Sequence, residues 1–137
     1  MGLRISILLL AIFICASQSV SAKECWALSN LKGHLAASVK DYKFEEDKFS
    51  KPMVLCFEEE TGTVSDDDTS FTRFGTSTLI GWVQNKGIEL VEVFQIDRTK
   101  KRVLFTKTRI GTGTVLPNGP DVIAAFVGDA TLLPIQE

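Results

Sequence analysis

The chain has little of what metal, cofactor or hydrolytic chemistry needs. Among its 137 residues there is one histidine, His34, and there are three cysteines, Cys15, Cys25 and Cys56. A structural zinc shell draws on clustered Cys and His at C-x-x-C or H-x-x-x-H spacing, and neither spacing occurs, so no metal or cofactor is expected. There is no G-x-G-x-x-G, P-loop, G-x-S-x-G or H-E-x-x-H stretch, which removes the activities those motifs announce. No Asn stands in an N-x-Ser/Thr sequon, since Asn30, Asn85 and Asn118 all fail it. Basic residues are not in excess: 15 Lys+Arg face 17 Asp+Glu. That balance argues against a nucleic-acid partner.

What is present begins at the N-terminus. Residues 1–4 carry one positive charge, residues 5–16 are almost continuously apolar, and residues 17–22 are small and polar, ending Val20-Ser21-Ala22. A charged start, an apolar centre and a small-x-small end describe a cleaved secretory signal peptide over 1–22. A retained anchor competes with it, but the apolar run of about 12 residues is short of the ~20 a membrane span takes. A lipid-modified cysteine needs a small residue before it, whereas Ile14 precedes Cys15 and Glu24 precedes Cys25. Cleavage leaves 23–137 as a single globular domain of roughly 115 residues, long enough to build a core. Losing Arg4 takes the net charge from −2 to about −3. The expected location is exported, periplasmic or extracellular, with no membrane attachment after cleavage.

Cys25 and Cys56 remain in the exported part and have one possible mutual pairing. Closing the loop between them is worth about 3–4 kcal/mol on the chain-entropy account. Two buried free thiols are the alternative.

Along the exported part, Leu28, Leu31, Leu35 and Val39 are spaced three, four and four apart, which predicts a helix within 24–41, with a short strand as the alternative. Residues 40–51 are dense in charge and read as a surface connection pinned by Tyr42, Phe44 and Phe49. Met53–Phe57 reads as a central strand, and 58–70, with its Glu and Asp triplets, as an exposed acidic loop. Residues 76–83, 88–97 and 102–110 read as three strands joined by short turns, an antiparallel meander. On the middle strand Ile88, Leu90, Phe94 and Ile96 share one face. Val91 and Val93 lie on the other, where a covering element, such as the N-terminal helix, or a binding role is required. Residues 111–120 read as a loop. Residues 121–128 read as a short helix capped by Asp121 or as one more strand, the alanines favouring the helix.

The candidate binding residues are few. Asp66, Asp67 and Asp68 would steer a basic partner; consecutive carboxylates lack the offsets of a calcium loop. Glu92 interrupts the apolar face of Leu90 and Phe94, so it must be paired or sit at an opening, with Lys107 or Arg109 of the neighbouring strand as its partner. His34 has no nucleophile or metal partner in sequence, and the Arg98–Arg102 cluster reads as a solvated hairpin tip.

The expectation is therefore an α+β, mostly antiparallel β domain. An N-terminal helix or arm is tied by Cys25–Cys56 to a β-meander, which can curl into a partial barrel. In architecture alone it resembles lipocalin-like carriers and the small bacterial lysozyme inhibitors. The leading functional expectation is a non-enzymatic binding or inhibitor-type protein that recognises a protein partner through exposed loops. The alternatives are a carrier of a small apolar or amphipathic ligand, with Glu92 and Arg109 near its opening, and a hydrolase.

Overall fold

A computed structural model describes residues 23–85, 87–111 and 121–135. The expected signal peptide and most of the expected 111–120 loop lie outside the described residues. The chain forms nine strands: β1 (Glu24–Ala37), β2 (Phe44–Lys48), β3 (Met53–Phe57), β4 (Thr61–Val64), β5 (Phe71–Phe74), β6 (Thr78–Asn85), β7 (Ile88–Asp97), β8 (Arg102–Gly111) and β9 (Val122–Leu132). A 3-10 turn, Ser38–Lys40, is the one helical element among the described residues. Every pairing is antiparallel, and β1 pairs with β9 from Trp26↔Leu132 to Ala37↔Val122. That last pairing closes the sheet into an eight-stranded barrel, because β2 and β3 lie end to end along the same edge of β1. Closure removes the free sheet edges that an open meander would expose.

Residues 24–41 are thus mostly strand, not helix, and the reason is local. Asn30 takes a left-handed conformation (φ 53°) and the β1–β9 register shifts between Ser29 and Lys32. The extra residue of this bulge turns Leu28 and Leu31 to the same side, so a strand shows helix-like three-residue spacing. Both leucines are fully buried, while Val39, the last member of the apparent stripe, is exposed. Residues 121–128 are also strand: Ala124 and Phe126 point inward as alternate residues of β9. Asp121 caps no helix. Its carboxylate accepts hydrogen bonds from the Tyr42 hydroxyl (2.9 Å) and the Gly111 amide (2.9 Å). It thereby ties the β1–β2 connection to the β8 end. The acidic segment 58–70 is interrupted by β4, whose Gly62 and Val64 are buried. The charged 40–51 segment contains β2, exposed at every position.

The core is a stack of aromatic rings threaded by aliphatics. Phe94 lies 4.2 Å from Phe105 and 5.7 Å from Phe71, and Phe126 lies 4.8 Å from Phe49. Each fully buried Phe or Leu stabilises the fold by about 1.5–3 kcal/mol of transfer free energy. The Cys25–Cys56 disulfide forms across β1 and β3, with Cα atoms 4.0 Å apart.

One end of the barrel is plugged. The Arg98 guanidinium lies 5.7 Å from the rings of Trp26 and Phe57 and pairs with Glu24 at 2.7 Å, while the Trp26 indole N–H donates to Glu24 (2.7 Å). Burial opposes the charge of Glu24, but these hydrogen bonds outweigh it and hold the carboxyl below its ordinary range. Arg98 is therefore a capping residue rather than part of a solvated tip.

Candidate functional site

The other end of the barrel is built differently. β4 and β5 are short and stop near the level of Gly81, where Phe71 pairs with it. Above that level the described residues give neither β2 nor the 82–85 stretch of β6 a second strand neighbour. The wall there is two strands short, a notch of three inter-strand spacings or on the order of 14 Å between strand axes. Inward-facing residues record the difference. Those near the plugged end, such as Leu28, Leu79 and Val103, are fully buried, whereas Leu35, Val83, Leu90 and Val122 are only half-buried. Among the described residues, these half-buried apolar side chains border the upper third of the barrel as the wall of a cup.

Glu92 sits at the foot of this cup. It is the inward residue of β7 between Leu90 and Phe94, only 2% exposed, and its Oε1 accepts from Lys107 Nζ at 2.7 Å. The register places Lys107 directly opposite it on β8 and Gly81 directly opposite it on β6. Gly81 makes the site possible: a Cβ there would come within 2.6 Å of Phe71 Cε1 and of Thr69 Cγ2. Its bare backbone lets the 65–70 connection fold in over the cup floor. Asp67 turns inward with that connection, accepting a hydrogen bond from the Thr69 amide at 2.8 Å.

The two carboxyls divide the roles. Burial pushes Glu92 up, against the pull of Lys107 and with the added push of Asp67. Burial also acts on Asp67, but its bonds to Thr69 and to Glu92 hold it low. Glu92 Oε2 receives no hydrogen bond from any described donor. Its carboxyl neighbour Asp67 is itself an acceptor.

The remaining sequence candidates scatter. Asp66 is ion-paired with Lys51 at the surface, and Asp68 is exposed, so the three aspartates do not converge. Arg109 faces inward one step above Lys107, opposite Leu90 and Val122, and completes the polar lining of the cup with Asp67, Glu92 and Lys107. His34 is exposed on the outside of β1 beside Ala125. Among the described residues no three His, Cys, Asp or Glu side chains gather as metal ligands, and no helix is long and apolar enough to cross a membrane. Sequence reasoning ranked Asp67 with its neighbours as surface charge. Its inward turn depends on Gly81 of the neighbouring strand β6, and no local signal marks it. No protein-family model, curated protein or solved structure matches the chain.

Proposed function

We propose that this chain is a non-enzymatic carrier that takes a small amphipathic ligand into the open end of its barrel. The observation that carries the reading is Glu92, buried at the foot of an apolar cup and ion-paired with the partly exposed Lys107. Taking charges out of water costs several kcal/mol, and an apolar pair of the same size would pack as well. A polar floor under an apolar wall fits a ligand with an apolar body and a polar head, the usual composition of small-molecule sites. The disulfide fits an oxidising compartment, so the carrier works outside the cytoplasm after export. Recognition of a basic protein through the acidic loop is the weaker reading, since Asp66 is paired and Asp67 points inward.

Native-spray mass spectrometry of the exported, oxidised protein tests the proposal, followed by titration with a long-chain carboxylate and a long-chain amine. Co-purifying small-molecule mass, or one-to-one binding of either probe that weakens in Leu90→Asp, is expected. A bare chain that binds neither probe overturns it.

A further inference from the structure

The outer face of the barrel over β6–β9 is unlike the rest of its surface. Cross-strand register lines up Trp82, Val91, Thr108 and Ile123 in one row, and Ile80, Val93, Thr106 and Ala125 in the next. Neither row holds a charge. Trp82 is 59% exposed and Ile123 46%. The described residues hold no α-helix, and nothing among them covers Val91 and Val93. The open apolar area is on the order of 600 Å², at the upper limit of what a monomer leaves bare.

The same face carries a concavity. Among the described residues β2 has β1 as its only strand neighbour, and against the β8–β9 wall it borders a groove of about 1030 Å³. The groove floor is Leu104, Thr106, Ala125 and Val127, and Lys32, Lys48, Glu46 and Asp47 stand on its far side, so its rim carries both signs. Trp82 stands on the opposite flank, two strands from β8, with Glu89 in the row above it.

We infer that this face is a self-association surface, and that its occupant is a second copy of this chain. A two-fold axis over β7–β8 carries Trp82 of each copy into the groove of the other, an isologous contact made twice. A net-acidic chain meets its own copy with least repulsion on an uncharged face. The area each copy offers approaches the ~800 Å² per partner of a standard interface, and an exposed Trp is the common anchor of such contacts.

Sedimentation velocity on the oxidised 23–137 chain, up to about 200 µM, provides the test. A dimer is expected, with its dissociation constant raised at least about tenfold by Trp82→Glu and by Ala125→Arg. Ala125 is exposed, so its variant keeps the test open should Trp82→Glu fail to fold. A monomer over the whole range, or a dimer indifferent to both Trp82→Glu and Ala125→Arg, overturns the inference. Flotation of a monomeric chain with phosphatidylcholine vesicles would also overturn it, assigning the face to lipid.

Discussion

Lys107→Met probes the floor of the cup directly. The substitution keeps the stem that packs beside Glu92 and removes the cation paired with it. Breaking a buried pair costs about 3–5 kcal/mol when the surviving charge stays charged. Glu92 can escape that cost by taking a proton, which sets a ceiling. Protonating a carboxyl of ordinary value 4.5 costs about 3.4 kcal/mol at pH 7 and about 0.7 kcal/mol at pH 5, at 1.36 kcal/mol per unit. The destabilisation should therefore approach about 3 kcal/mol at pH 7 and shrink to less than about 1 kcal/mol at pH 5. Urea unfolding at both pH values, with the disulfide intact, measures it. The Glu92→Gln/Lys107→Met double variant should lose this pH dependence. An equal loss at pH 5 and pH 7 for the single variant would refute a buried, proton-accepting Glu92.

Three further outcomes follow from the same geometry. In the unsubstituted chain, burial raises Glu92 in the folded state, so its contribution is full below the ordinary carboxylate value and is lost as pH rises through the folded one. Asp67 is held low and contributes in the opposite sense, losing stability as pH falls; Glu92→Gln should thus flatten only the rising-pH side of a thermal-melt pH profile. Replacing Cys25 and Cys56 together by alanine should lower the unfolding free energy by about 3–4 kcal/mol in urea, less if the unfolded chain stays compact. Gly81→Val should cost about 1–3 kcal/mol or more, because its side chain must displace Phe71 and Thr69; a Gly81→Val melt identical to that of the parent would remove the steric account of the cup floor.

How far the fold is legible in the chain depends on how regular each strand is. β7 and β8 lie within one residue of their expected bounds, because a long β-branched run between short turns has few alternatives. β1 misleads because a single left-handed residue, Asn30, breaks the period of two and imitates the period of a helix. β2 shows no pattern at all. With one strand neighbour and both faces wet, Phe44–Lys48 has no apolar side to alternate. The disulfide was readable by count alone, since one pairing existed, yet its geometric setting, directly cross-strand, was not.

β9 shows why barrels hide their strands. Three of its inward positions, Ala124, Gly128 and Ala130, are small, beside the inward rings of Phe94, Phe105 and its own Phe126. Its outward positions, Ile123 and Val127, are large and exposed. At these positions side-chain size runs opposite to burial, and Phe126 alone marks the inward phase as large, so the alternation is blurred. Glu92 is the reverse case. One carboxylate on the buried phase of an otherwise apolar strand is visible without coordinates, because a charge there must be paired or lie at an opening. The structure gives it both a cation and a cup. A site of this kind is legible where it violates its own strand's pattern, and it stays hidden where, as at Asp67, a distant glycine decides which way the side chain turns.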